Sequence, residues 1–299
     1  MIWLIGCNGM LGTELSIILE KSGLSFIATD REIDITDPLA LDTFIKNKPV
    51  KWIINCAAYT AVDKAEDDAE TCRRLNTFGA ANIASCAGNI DARLLHISTD
   101  YVFDGKGIYE NNTDTPRPYR EDDTTNPVSV YGLSKRDGEL AAMENNHNSY
   151  IIRTAWLYGK YGNNFAATML RLMNQREEIS VIDDQRGSPT WAFDLASLIL
   201  IFIEYIDSGN TIPPGIFHYT NEGNISWFDF ANEIYRQGAE LGLIKKKCAI
   251  IPCTTAEYPS KAQRPVFSVL DKSKIKAALD ISIPDWDKSL REYLKNCAL

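Results

Sequence analysis

Short apolar runs alternate along this chain with longer stretches in which apolar residues recur every three or four positions. The short runs occupy 2–5, 25–29, 52–56, 94–98, 150–153, 179–181 and 216–219. Most are continuously apolar, which suits strands of a parallel sheet covered on both faces. The longer pattern predicts helices over 11–21, 38–46, 63–68, 70–88, 130–145, 164–174, 192–207, 227–241 and 286–295. Strand–helix alternation of this kind predicts an α/β fold with a doubly wound parallel (Rossmann) sheet. After Gly159 the chain turns to irregular, proline-containing segments. The expected division is a dinucleotide-binding domain over 1–158, rejoined by about 190–220, with 159–189 and 221–299 forming a smaller C-terminal substrate-binding domain. The long polar stretch 104–125 falls between a predicted strand and a predicted helix and reads as an active-site flap.

Chemistry enters at the first turn. The opening run ends at Gly6, and Gly6, Gly9 and Gly12 follow at G-x-x-G-x-x-G spacing before a helix. Strand, glycine turn and helix open a dinucleotide fold: the glycines let backbone approach a pyrophosphate, whose charge meets the helix N-terminal amides. The second run ends at Asp30, eighteen residues past Gly12, where an acid bonding the adenosine ribose belongs. Arg31 follows at once and suits a 2′-phosphate instead. The pair leaves NADPH and NADH both open. After the third run, small Ala57 and Ala58 would let a ribose and nicotinamide pass close to backbone.

Tyr131 and Lys135 stand four apart, so one helix face carries both. An ammonium beside a phenol favours phenolate, and the expectation is a lowered tyrosine pKa. Ser98, Thr99 and Asp100 end the fourth run; a hydroxyl there completes a proton-delivery site for a carbonyl oxygen. Trp156, after the fifth run, offers an apolar wall for a sugar face.

Composition narrows the classes. With 299 residues, 45% hydrophobic and 24% charged, the chain has room for one large domain or two modest ones. Its net charge of −9 and pI of about 5.0 argue against a partner that is a nucleic acid polymer. No apolar stretch approaches the ~18 residues of a membrane span, and the first run lacks a signal peptide's basic flank. Seven scattered cysteines with no C-x-x-C, and three histidines, make a metal site unexpected. Reduced thiols point to a cytoplasmic protein. Cys7, inside the glycine turn, reads as a packing residue or an oxidation-sensitive one.

The segments GCNGMLGTEL, ATD at 28–30, NCAAYTAVDKAE, HISTDYVFDG, SVYGLSK, RTAWLYG, DDQRGSPTW and RPVFSVLD together resemble the extended short-chain dehydrogenase/reductase superfamily. Within it the chain resembles the dTDP-4-dehydrorhamnose reductase family, over essentially its whole length. The resemblance implies an oxidoreductase in which a reduced nicotinamide delivers hydride to C4 of a 4-keto sugar nucleotide, dTDP-4-dehydro-6-deoxy-L-mannose, giving dTDP-L-rhamnose. It implies Tyr131 as general acid, Lys135 lowering the tyrosine pKa and bonding the nicotinamide ribose, and Thr99 bonding the ketone oxygen. By the same resemblance Gly9, Met10 and Leu11 meet the pyrophosphate, Asp34 and Ile35 the adenine, and Ala58, Tyr59 and Thr60 the ribose and phosphate. Ile97 faces the cofactor, while Thr99, Asp100 and Trp156 meet the sugar. Arg264 and the GSPT loop are implied near the substrate nucleotide.

Two departures stand out. The 104–125 stretch is longer than the family's usual connection, with IYENNTDTP as the apparent extra. Some family members dimerise around Mg²⁺ held by glutamates; Glu14 matches one such position, but Trp191-Ala192-Phe193 lacks another. The expectation is a monomer or weak homodimer. Two other functions fit the same motifs. One is a non-catalytic NADP-binding regulatory subunit, as in methionine adenosyltransferase, but the intact trio Thr99, Tyr131 and Lys135 favours an enzyme. The other is a different sugar-nucleotide reductase, epimerase or dehydratase; Tyr101 stands where a dehydratase's partner acid would sit.

Overall fold

The computed structural model describes residues 1–110 and 113–297. The first five strands are β1 (Ile2–Ile5), β2 (Phe26–Thr29), β3 (Trp52–Asn55), β4 (Arg93–Thr99) and β5 (Ser149–Thr154). With strand Gly215–His218 they form one parallel sheet in the order Gly215–His218, β5, β4, β3, β1, β2. The chain leaves β1 for β2 on one side and then places β3 on the other. A crevice therefore opens at the carboxyl ends of β1 and β3, where doubly wound folds bind ligands.

Both sheet faces are covered, as continuous apolar strands require. Ile2 and Leu4 of β1 join Trp52, Ile54, Leu95 and Ile152 beneath helices Met10–Ser22 and Ala192–Asp207. Trp3 and Ile5 point the other way, with Ile53, Leu94 and Ile151, against helices Gly79–Asn89 and Val130–Asn145. A third apolar cluster lies outside the sheet. Helices Phe165–Gln175, Trp227–Glu240 and Trp286–Cys297 contribute Met169, Phe230, Tyr293 and Leu294 to it.

Most predicted elements stand within a residue or two of their expected ends, and helices Val130–Asn145 and Ala192–Asp207 coincide with them. Among the longer elements of the described residues, four differences stand out. The run at 179–181 forms strand Glu178–Ile182, which pairs with Ala249–Cys253 rather than joining the main sheet. Its Glu178 and Ser180 face solvent, a one-sided alternation that a short apolar run conceals. Strand Ala249–Cys253 itself is half exposed and carries Pro252, so it resembles a loop in sequence. Helix Ser273–Leu279 is a short, lysine-rich element that also escapes the pattern. The helix predicted over 70–88 is three pieces, Ala69–Arg73, a π-helical turn Arg74–Phe78 and Gly79–Asn89.

In the 104–125 segment, the Tyr119 ring stacks on Phe103 at 4.2 Å, and its hydroxyl donates to Asp104 at 2.8 Å while accepting from the Gly107 amide at 2.7 Å. Asn111 and Asn112, within the apparent extra residues, lie outside the described residues. Among the described residues no helix is long and apolar enough to cross a membrane, and no three metal-binding side chains cluster.

Candidate active site

The glycine turn is built for close backbone approach. Gly6 has φ +81°, and a Cβ there would lie 2.6 Å from the Ala57 nitrogen. At Gly12 a Cβ would fall 2.1 Å from the Gly6 carbonyl oxygen. The turn therefore packs directly on the segment leaving β3. Gly9 caps helix Met10–Ser22 without a side-chain bond, and no acid stands in the first turn. The first amides of a 13-residue helix are thus free for an anion. Met10 and Leu11 open that helix.

Past β2, the Asp30 amide donates to Glu32 at 2.9 Å, and Arg31 is exposed. Asp34 turns onto its own loop, accepting from the Thr36 amide at 2.9 Å and hydroxyl at 2.8 Å, which holds its carboxyl below the usual range. Ile35 is buried against Gly79. On the β3 side, the π-helical turn carries Asn76 inward: its Oδ1 accepts the Tyr59 amide at 2.8 Å, and its Nδ2 donates to the Tyr59 carbonyl at 3.1 Å and to Ser134 at 3.0 Å. The bulge thus clamps the 57–60 segment to the helix that bears Tyr131; bulges of this kind recur at functional sites. Thr60, at the end of that segment, is exposed.

Ser129 caps helix Val130–Asn145 by accepting from the Gly132 amide. On its buried face stand Tyr131 and Lys135, 9% and 2% exposed. The expected Lys-lowered tyrosine is not what this site holds. Lys135 Nζ donates to the Ile97 carbonyl at 2.6 Å and lies 3.2 Å from His96 Nε2. The Tyr131 phenol is pushed up by burial, with Thr99 beside it pulling the other way. Desolvation outweighs any field from an ammonium that is itself buried and pushed down to about 8.

Thr99 also has a second engagement. Its hydroxyl donates to Asp100 Oδ1 at 2.9 Å and accepts from the Tyr101 amide at 3.2 Å. Asp100 is 3% exposed, and its Oδ2 has no partner. Burial pushes this carboxyl up to about 6 from its ordinary 3.8. Because the folded state holds that proton more tightly, Asp100 contributes stability at acid pH that is lost as pH rises through about 6. Asp100→Asn should therefore gain about 1–3 kcal/mol relative to the parent on going from pH 4.5 to pH 8. Urea unfolding at the two pH values checks this; a difference that does not change with pH refutes it.

Beside Asp100 and Tyr101 lies a cavity of about 1000 Å³, lined also by Trp156, Arg176, Gln185, Trp227, Lys261 and Arg264. Arg264 donates to the Tyr101 hydroxyl at 3.0 Å and pairs with Asp63. Trp156 has φ +49°, an unusual conformation for a bulky residue. It is held there by face-to-face stacking on Trp227, with ring centroids 3.5 Å apart, and by Gly187, where a Cβ would lie 2.5 Å from the indole. The GSPT loop, 187–190, does not line the cavity. It is buried behind Trp156, with Thr190 donating to Ala155 O and Ser188 to Gly223 O.

The structure thus gathers Gly6, Gly9, Met10, Leu11, Gly12, Ala57, Ala58, Tyr59, Ile97, Thr99, Asp100, Tyr131 and Lys135 at the carboxyl ends of β1, β3 and β4. Asp34 and Ile35 are engaged locally instead. Asn55, Asn76, His96 and Trp227 escape sequence reasoning. Asparagine at the end of an apolar strand and histidine within one read as ordinary core polar groups, and Trp227 reads as helix core.

Comparison with known proteins gives consistent results. A family model described as RmlD substrate binding domain matches residues 1–299. A dTDP-4-dehydrorhamnose reductase of Aggregatibacter actinomycetemcomitans is 38% identical over 288 residues, covering 96% of this chain and 95% of the relative. The crystal structure of a dTDP-4-dehydrorhamnose reductase from Clostridium acetobutylicum is similar at 39% identity and TM-score 0.88, covering 100% of this chain and 99% of that one. A second, from Bacillus anthracis and in complex with NADP, is similar at 35% identity and TM-score 0.89, covering 99% and 98%.

Proposed function

The chain belongs to the family of the RmlD substrate binding domain, that of the dTDP-4-dehydrorhamnose reductases, and from this premise we propose that it reduces the C4 ketone of dTDP-4-dehydro-6-deoxy-L-mannose to give dTDP-L-rhamnose. The observation that carries the reading is the meeting of Tyr131, Lys135 and Thr99 beside a glycine turn with free helix amides.

The residues suit a dinucleotide. Side chains at Gly6 and Gly12 would fill the cradle with backbone clashes, and the amides after Gly9, with Met10 and Leu11, suit the pyrophosphate. Ala57, Ala58, Tyr59, Thr60 and Ile97 would border the ribose and nicotinamide, with Asp34 and Ile35 toward the adenine. Asp30 and Arg31 would meet the adenosine ribose, with NADPH as the donor and NADH as the second to test. When bound, the cofactor supplies the hydride. Lys135 would bond the nicotinamide ribose, so Lys135→Ala should weaken dinucleotide binding and lower turnover together. A Kd unchanged by that substitution, read from reduced-nicotinamide fluorescence, counts against the ribose contact.

On the substrate side, Tyr131 Oη would donate its proton to the oxygen that becomes the C4 hydroxyl. Thr99 would hold the same oxygen once its hydroxyl turns from Asp100. The unpartnered Asp100 Oδ2 suits a sugar hydroxyl, and the Trp156 face suits the apolar side of the ring. Arg176, Lys261 and Arg264 are the cations that the adjoining cavity offers a diphosphate; Arg264 would turn to it from Asp63 and Lys261 from Asp67. A dehydratase reading is weaker, because Tyr101, bound by Arg264, stands beside Asp100 in place of a second acid.

The test is direct. Purified protein is mixed with NADPH or NADH and a panel of 4-keto-6-deoxy sugar nucleotides, and loss of reduced-nicotinamide absorbance is followed. Turnover with the dTDP-linked ketone supports the assignment. No consumption with any member, from protein that binds the dinucleotide, rejects it in favour of a binding subunit.

A further inference from the structure

Behind Lys135 runs a buried polar line that the reaction as derived does not use. Asn55, at the end of β3, and His96, in the middle of β4, are cross-strand partners, each 1% exposed. Asn55 Oδ1 accepts the Ala57 amide at 3.0 Å. That bond fixes the amide, so Nδ2 is the atom that faces His96 Nδ1, at 2.9 Å. An imidazole whose Nδ1 accepts carries its proton on Nε2. This Nε2–H points at Lys135 Nζ, 3.2 Å away.

An amine has a lone pair to accept that proton; an ammonium has none. With Lys135 charged, two donors would meet head on inside a dry core. The conflict is relieved only if His96 carries its proton on Nδ1 instead. Asn55 must then turn its amide over, which leaves the Ala57 N–H facing an NH₂ group. We infer that Asn55 and His96 are positioning residues that set the charge of Lys135: as arranged they hold it as the amine, and charging it requires the histidine to change tautomer and the asparagine amide to flip. Net, one proton enters from solvent. The Nε2 proton passes to Nζ, Nδ1 takes the incoming proton, and the turned Oδ1 of Asn55 accepts it.

The surroundings agree. Facing Lys135 are Glu139 one turn on along its own helix, Cys56 beyond β3 and Cys72 from helix Ala69–Arg73, while burial outweighs all three and lowers the lysine to about 8. Facing His96 is Lys135, and burial keeps the imidazole neutral. The catalytic meaning of this device rests on the proposed role of Lys135; the device itself does not.

The experiment is ¹⁵N NMR of the unliganded, histidine-labelled protein from about pH 6 to 10. The chain has three histidines, and His96→Phe identifies the His96 signals by their loss. The expected result is Nε2–H at alkaline pH, converting to Nδ1–H as pH falls through the lysine titration near 8. In Asn55→Asp both side-chain oxygens accept, so the Ala57 amide and a protonated Nδ1 are satisfied together. The midpoint should then rise by about one pH unit or more. One tautomer across the whole range, or an unmoved midpoint in a folded Asn55→Asp variant, overturns the inference; if that variant does not fold, the parent titration decides. A second measurement separates this inference from the functional reading. If the tautomer changes as expected while Lys135→Ala leaves the dinucleotide Kd unchanged, the ribose contact of Lys135 fails and the coupling stands.

Discussion

Tyr131→Phe is expected to lower kcat at least about 100-fold, since a positioned general acid typically contributes about 10²–10⁴-fold, while dinucleotide binding survives. The expectation follows from the site rather than from the motif alone. Tyr131 is buried, and burial raises its phenol above the ordinary value. The group therefore holds its proton across the neutral range, as a proton donor must. Removing one oxygen leaves the ring, its edge contact with Tyr101 at 5.5 Å and the cap of its helix in place. The loss should thus appear in kcat, with the dinucleotide Kd within about twofold of the parent, because the phenol oxygen adds at most one hydrogen bond to that binding. Single-turnover absorbance measurements check the chemical step. Near-normal turnover would remove Tyr131 from the reaction and leave the neighbouring Asp100 as the remaining acid.

Much of this arrangement is legible in the sequence because it is local or periodic. The glycine turn is a contiguous signal: three residues fix both the backbone path and the free amides. Tyr131 and Lys135 lie one helical turn apart, and the apolar runs reveal the sheet. The remainder depends on residues that meet only through folding. Asn55 and His96 lie 41 positions apart and become neighbours through strand register. Asn76 acts through a π-helical turn, which an ordinary helical period does not announce. Trp156 and Trp227 come from separate elements, and their stack supports a backbone conformation that bulky residues rarely adopt. The lysine–tyrosine electrostatics depart from what the spacing predicts for a related reason. Spacing gives proximity, but burial sets the sign of a pKa shift, and burial is a property of the fold.

The same dependence on distant residues makes Glu139 a strong stability determinant near the site. Glu139→Gln should destabilise the protein by about 3–5 kcal/mol, the usual result of breaking a buried ion pair on one side. Both partners are nearly inaccessible, each side chain 2% exposed. Arg153 of β5 donates to Glu139 through Nε at 2.9 Å and Nη2 at 2.7 Å, a two-point pairing that also fixes orientation. Ser98, next to Thr99 in β4, donates to the same carboxylate. Glu139 thus joins the helix bearing Tyr131 to both strands that frame the site. The guanidinium has other neighbours, the Phe103 ring at 5.0 Å, His218 at 3.4 Å and the Glu121 carbonyl at 3.5 Å, but none is an anion. His218 is held neutral by burial and by Arg153 itself. Loss of the carboxylate charge would therefore strand Arg153 in the core. Equilibrium urea unfolding checks the prediction, and Glu139→Gln/Arg153→Met provides the internal control. Removing the stranded cation should recover part of the loss, because the penalty lies in the unpaired charge rather than in missing volume. A single variant within about 1 kcal/mol of the parent, well below the range expected for such a pair, would mean that water or backbone carbonyls satisfy Arg153 without Glu139. The tie between helix and strands would then rest on packing alone.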